Sequence, residues 1–222
     1  MGRRVLLACA FFLISIQSFS STGGNLNVSS SDEFAMWGNV RINKHIFSGL
    51  SLSLNGEMRS KDNMDDISLW WINPEITFRF NDYFNVEGGY RYAGVNRDDG
   101  YESAHRWYVG GTAGISFGPA YLFLREMFEQ IVYESSTVSY LRSRLRLELR
   151  FDDFLLTPFA SVENFLYLSG ERGGRTGIMR YTGGVRIRVS SSNSFNVYYR
   201  YQRSYSASLG EHILGMGYTF SF

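Results

Sequence analysis

The chain has 222 residues, only three prolines, and a formal net charge of +1 carried on twenty arginines but just two lysines, Lys44 and Lys61. This balance leaves no basic excess for binding nucleic acid. No apolar run after Ile16 reaches the roughly 20 residues a helix needs to cross a bilayer. The 15 tyrosines and 18 phenylalanines favour strands instead.

Residues 1–20 read as a secretion signal. Arg3 and Arg4 open it, residues 5–16 form its apolar stretch, and Ser18-Phe19-Ser20 offers a small-x-small cleavage site. Cys9 comes too early in this stretch to be a lipid-modified cysteine. Cleavage near Ser20 leaves 21–222 as one domain with no cysteine and hence no disulfide, and takes the formal charge from +1 to −1 by removing two arginines.

Beyond the signal, apolar and polar residues alternate with the period of two that a strand imposes. Leu50, Leu52 and Leu54 alternate with Ser51, Ser53 and Asn55, with Glu57 following on the polar face. Ile72, Ile76 and Phe78 oppose Glu75 and Arg79; Val86, Tyr90 and Tyr92 oppose Glu87 and Arg91; Trp107 and Val109 oppose Arg106 and Tyr108. The stretch at 120–131 is mixed, with Arg125 on one face and Glu126 on the other. Residues 140–151 alternate without a slip: Leu141, Ser143, Leu145, Leu147 and Leu149 against Arg142, Arg144, Arg146, Glu148 and Arg150. The stretch at 154–168 is mixed around Ser161 and Glu163. Three aromatic strands close the chain, carrying Arg180, Arg186 and Arg188, then Arg200, then His212 to Phe222. A soluble sandwich would bury the apolar face. Recurrence along the chain behind a secretion signal reads as an all-β, antiparallel transmembrane β-barrel, with apolar faces to lipid and charged faces to the lumen.

Connections alternate in length. Short ones fall at Asn43-Lys44-His45, Asn81-Asp82, Gly118-Pro119, Asp152-Asp153 and 190–194, and long polar ones at 60–68, 96–103, 133–136, 170–176 and 203–210. This pattern predicts short periplasmic turns, longer outer loops, and a last strand ending in the periplasm. Eleven strands are evident from Phe34 onward. An even number is expected in a bacterial single-chain barrel. A further strand at 25–30, where Leu26 and Val28 alternate, gives twelve; the alternative is ten, with the first segment outside the wall.

Short motifs carry a family resemblance: Trp37 in an early strand, Gly56-Glu57-Met58-Arg59, Gly89-Tyr90-Arg91-Tyr92, Leu141-Arg142-Ser143-Arg144-Leu145 with Glu148 and Arg150, and Glu163-Asn164-Phe165. In these the chain resembles the outer-membrane barrels grouped as the domain-of-unknown-function 2490 family. The resemblance implies an integral outer-membrane location and a barrel architecture. It implies no activity and no site.

The candidate functional residues are the lumen charges: Glu57, Glu75, Arg79, Glu87, Arg91, Arg106, Arg125, Arg142, Arg144, Arg146, Glu148, Arg150, Glu163, Arg180, Arg186, Arg188 and Arg200. Guanidinium forks pair bidentately with carboxylates and can fill a narrow barrel. That gives a structural or narrow-pore role. The arginine excess leaves a small anion-favouring porin as the alternative, because fixed rings of charge set selectivity.

A lipid-modifying outer-membrane enzyme is a second alternative. Its only candidate groupings are His212 with Ser206, Ser208 and Glu211, and His105 with Ser103 and Glu102. Neither has triad or elbow spacing. Both histidines fall on the lipid face, where girdle residues with polar tips belong. No enzyme activity, cofactor or metal site is therefore expected. The acidic loop residues Asp62, Asp65, Asp66, Asp98, Asp99 and Glu102 lack EF-hand spacing and read as solvated loops. Residues 170–175 lack the Lys-Ser/Thr ending of a phosphate loop. The expected partners are outer-membrane lipid and lipopolysaccharide, and the barrel-assembly machinery through the final strand ending at Phe222.

Overall fold

The alternation is realised as a wall of paired strands in the computed structural model, which describes residues 33–61, 66–97, 100–152, 154–170, 172–205 and 209–222. Among these residues lie β1 (Glu33–Phe47), β2 (Leu50–Lys61), β3 (Asp66–Asn81), β4 (Phe84–Arg97), β5 (Gly100–Phe117), β6 (Ala120–Tyr133), β7 (Thr137–Leu149), β8 (Leu156–Tyr167), β9 (Thr176–Arg188), β10 (Asn193–Ser204) and β11 (Leu209–Ser221). Each strand pairs with the next in antiparallel register, and β1 pairs with β11, so the sheet closes on itself. The signal segment and the possible strand at 25–30 lie outside the described residues.

The barrel closes with eleven strands, neither twelve nor ten. The expectation of an even number assumed that every neighbouring pair is antiparallel. Here β1 and β11 run the same way and pair in parallel, from Glu33 opposite Glu211 to Asn43 opposite Ser221. The seam continues past β11, where the His45 amide donates to the Phe222 carbonyl at 3.0 Å and the Phe222 amide donates to the Asn43 carbonyl at 3.0 Å. A parallel seam pairs the edge groups that an open sheet would leave unsatisfied. Both terminal strands therefore start at one end of the barrel, the Glu33 end, and finish at the other, the Phe222 end.

The hairpins also differ from expectation. Asn43, Lys44 and His45 do not turn; β1 runs on to Phe47 and the chain reverses at Ser48-Gly49. Gly49 has φ +88°, and a Cβ there would sit 2.7 Å from the Arg79 carbonyl oxygen, so this turn demands glycine. At the Glu33 end the strands extend into the expected loops. Only residues 98–99 separate β4 from β5, a strand of 18 residues. Strand arms longer than the 9–11 residues a tilted strand needs to span a membrane replace floppy loops there.

The outward faces are apolar. Val40, Leu54, Ile72, Ile76, Val109, Leu147, Val197 and Met216 are all exposed. Aromatics gather at both rims: Phe47, Phe80, Phe117 and Phe222 at one end, Phe34, Trp70, Tyr92 and Tyr101 at the other. An apolar band between aromatic girdles is the exterior of an outer-membrane-type barrel. Eleven strands at the usual spacing and tilt give a backbone cylinder roughly 20 Å across, narrow enough for long side chains to meet in the middle.

Candidate functional site: the charged lumen

A belt of guanidinium, carboxylate and indole groups runs round the lumen. On β1, Trp37 is almost fully buried, and the Arg59 guanidinium of β2 lies 3.7 Å over its ring. Arg59 also donates to Glu57 at 2.6 Å, and Trp71 Nε1 on β3 donates to the same carboxylate at 3.1 Å. Arg91 of β4 stacks 3.7 Å over Trp71. Arg106 of β5 stands opposite Arg91 in register and bonds Glu129 of β6. Arg142 of β7 bridges Glu129 at 3.0 Å and Glu163 of β8 at 2.8 Å. Arg180 of β9 reaches Glu163 at 3.4 Å. Arg180 and Arg200 then return over Trp37 at 5.3 and 4.9 Å, closing the circuit.

Period-two geometry builds this belt: every member sits at an inward position of its own strand, and register brings them level. The stacking is favourable in itself, because a guanidinium over an indole face combines cation–π attraction with dispersion. The belt holds six arginines but three carboxylates, so it is electropositive. The Nε atoms of Arg91 and Arg106 and the Trp37 Nε1 are buried without a hydrogen-bond partner among the described residues.

Between the belt and the Phe222 end, neutral groups take part. Tyr108 donates to Glu75 at 2.6 Å and accepts from Asn73 Nδ2 at 2.9 Å, and Arg41 joins Glu75 at 3.2 Å. The Tyr108 ring covers Gly89, its register partner, and Tyr198 covers Gly215 in the same way. A Cβ at either glycine would collide with the ring, so each tyrosine lies flat on the wall.

Nearer the Phe222 end, Glu148 gathers three arginines: Arg146 at 2.8 Å, Arg150 at 2.7 Å and Arg186 at 3.3 Å. Arg125 bonds Glu87. Arg144, between Arg142 and Arg146 and opposite Arg125, has no carboxylate within bonding distance among the described residues. Two cavities meet here, of about 440 Å³ on the belt side and about 430 Å³ towards the Phe222 end. Arg125, Arg144 and Arg146 line both.

Toward the Glu33 end apolar side chains join the lumen lining. Ala35, Trp37 and Ile213 form one buried cluster. Trp71, Ala93 and Ala104 form another, with Leu69, Val95, Ile131 and Tyr133 packed against it. Tyr140 packs on Phe165 and Tyr167 with ring centroids 6.1 and 4.8 Å apart.

The charges singled out in the sequence are thus placed as follows. Glu57, Glu75, Arg79, Arg91, Arg106, Arg125, Arg142, Arg144, Arg146, Glu148, Arg150, Glu163, Arg180, Arg186 and Arg200 line the two cavities, and Glu87 joins them through Arg125. Arg188 ends β9 exposed, outside both cavity linings. Arg41, Arg59, Glu129 and the indoles are further members that the sequence reading passed over. Glu129 was hidden by the mixed alternation of β6, Arg41 and Trp37 lay on a strand whose faces were not sorted, and Arg59 sat beside a presumed loop.

Other groupings fall apart in space. Glu211 points inward to Gln202 Nε2 at 3.0 Å, whereas His212 points outward, bonded to Tyr199 and stacked near Tyr201. Ser206 and Ser208 lie outside the described residues. His105 bonds the Tyr90 hydroxyl and packs on Tyr92, while Glu102 pairs with Arg97 at 3.1 Å. Asp66 accepts from Asn96 Nδ2 at 2.7 Å; Asp62, Asp65, Asp98 and Asp99 lie outside the described residues. Among the described residues no cluster of three His, Cys, Asp or Glu could hold a metal ion. Of the glycine-rich stretch, Glu171 lies outside the described residues, and the Gly173 amide donates to the Gly170 carbonyl at 3.0 Å.

One polar row lies on the outward side of the wall. Glu126, Ser143 and Asn164 are successive register partners across β6, β7 and β8, and the Ser143 hydroxyl donates to Glu126 at 2.7 Å. Their lumen-facing neighbours are Arg125, Arg142 and Glu163. All three polar residues are buried beneath the surrounding apolar side chains.

Comparison with solved structures returns matches at low identity. The β domain of the Bordetella autotransporter BrkA is 12% identical, with a TM-score of 0.47, covering 79% of this chain and 83% of that one. The translocator domain of autotransporter NalP from Neisseria meningitidis is 14% identical, with a TM-score of 0.43 and coverage of 76% and 72%. The siderophore receptor PirA from Pseudomonas aeruginosa is 14% identical, with a TM-score of 0.31 and coverage of 72% and 32%. No curated protein sequence matches the chain. Residues 34–211 match the model of a family described as protein of unknown function (DUF2490). The match spans most of the chain and nearly the whole barrel, and on it the chain belongs to the DUF2490 family.

Proposed function

We infer that this protein is an integral outer-membrane barrel with a blocked, electropositive lumen, and that it is neither an open channel nor an enzyme. In this reading the Glu33 end faces outward and the Phe222 end opens to the periplasm. The observation that carries it is the belt from Trp37 round to Arg200, whose members reach between strands that are not neighbours. Arg180 of β9 over Trp37 of β1 spans β10 and β11. On the Glu33 side of the belt, Ala93, Val95, Ala104 and Ile213 add apolar wall, and apolar linings resist ions. Any residual conductance is small and prefers anions, because guanidiniums outnumber carboxylates in the belt.

The apolar exterior and the aromatic girdles support the location. Membrane fractionation with a carbonate wash tests it, since an integral barrel stays with the outer membrane and a peripheral protein is released. Swelling of proteoliposomes in isotonic small sugars tests the blockage. The blocked reading expects no swelling above empty liposomes. Rapid swelling favours the porin reading.

A further inference from the structure

We propose that the cavity at the Phe222 end is a binding site for a phosphate-bearing anion, centred on Arg144. The proposal rests on the reading of the lumen as blocked beyond the belt and open toward the Phe222 end. Six arginines line this cavity, Arg79, Arg125, Arg144, Arg146, Arg150 and Arg186, against two carboxylates, Asp82 and Glu148. Glu148 is already shared among three of these arginines and Glu87 is taken by Arg125. Glu163, the register partner of Arg144, is drawn away by Arg142 and Arg180.

Arg125 and Arg146 keep only 16% and 18% of their side chains exposed, so the guanidiniums crowded beside Arg144 repel one another with reduced solvent screening. The arrangement calls for a bound anion carrying more than one charge. The geometry favours phosphate over a single halide. Arg146 is held 3.9 Å over the Phe159 ring and Arg150 4.4 Å over Tyr121. Packing on the rings restrains each guanidinium, and a planar fork matches the oxygens of a phosphate bidentately. Arg144 stands where the two cavities meet, so an anion on it also screens Arg125 and Arg146. Less of the ordering cost of binding then falls on these arginines, because packing already holds them.

The test is calorimetric titration of the folded protein in detergent micelles, in buffer free of phosphate, with inorganic pyrophosphate as probe. Binding is expected to weaken at least tenfold in Arg144→Gln and to be unchanged in Arg97→Gln, a surface pair at the opposite end. Heat-shifted gel mobility reports whether each variant is folded. If Arg144→Gln does not fold, Arg186→Gln at the cavity mouth is expected to weaken binding instead. No binding to the wild type at millimolar pyrophosphate, or equal binding in both lumen variants, overturns the proposal. A second arm adds monomeric short-chain phosphatidic acid: displacement of pyrophosphate assigns a lipid headgroup as the source, and absence of displacement assigns a soluble ion, and either upholds the site. A barrel that conducts yet binds pyrophosphate removes the blocked reading and leaves the site standing.

Discussion

Arg91 and Arg106 face each other directly across the β4–β5 ladder, and neither Nε has a hydrogen-bond partner among the described residues. Only Arg106 has a carboxylate, Glu129; Arg91 rests on the face of Trp71. Like charges directly opposite on one sheet face destabilise the pair. Arg91→Met, which keeps the packing on Trp71 and removes the charge, is expected to leave stability unchanged or to raise it. Urea unfolding in micelles reads this out, and a loss above about 1 kcal/mol contradicts the balance of forces assigned to this pair.

Glu129 is the opposite case. It is fully buried and shared between Arg106 and Arg142. Glu129→Gln takes the carboxylate from Arg106 and leaves Arg142 with Glu163 alone, and is expected to cost about 3–5 kcal/mol, the usual penalty for removing one partner of a buried pair. The same unfolding assay checks the figure, and the order Glu129→Gln far below Arg91→Met is the informative result.

Leu147 and Arg146 are neighbours in β7 that point to opposite sides. Leu147 is exposed on the outer face, while Arg146 stacks on Phe159 in the lumen. Leu147→Arg places a charge in hydrocarbon at about 2–4 kcal/mol. Arg146→Leu keeps the contact with Phe159 and loses one of three ties to Glu148. Heat-modifiable gel mobility is expected to show the first variant misassembled and the second folded. Equal folding contradicts the assignment of faces.

On the outward side of the wall, Ser143→Ala removes the hydroxyl that donates to Glu126 and is expected to cost about 1.5–3 kcal/mol, the usual worth of a hydrogen bond to a charged group. Replacing both, Glu126→Leu with Ser143→Ala, is expected to recover most of that loss. A double-mutant cycle with no coupling between the two positions contradicts the pairing.

The strands were legible because one face of each must be apolar for lipid and the other polar, and residues 140–151 show this without interruption. Closure was not legible. Pattern fixes which face a residue occupies but not which strand closes the ring, and the parallel pairing of β1 with β11 has no local signature. The arginines of β7 could be assigned to the lumen from alternation alone. The belt could not, because it depends on register between strands, which hairpin turns such as Ser48-Gly49 set. Glu129 and Glu126 show the limit most clearly. They lie three residues apart on β6 and face opposite sides, one holding the ionic belt and the other pairing with Ser143 beneath the outward surface, and only the neighbouring strands distinguish them.

The central claim is that the lumen is blocked and electropositive. Planar-bilayer recording of the purified protein under a salt gradient tests it most directly. The account predicts silence or small, infrequent steps with a reversal potential on the anion-selective side. Large, cation-selective steps would contradict it.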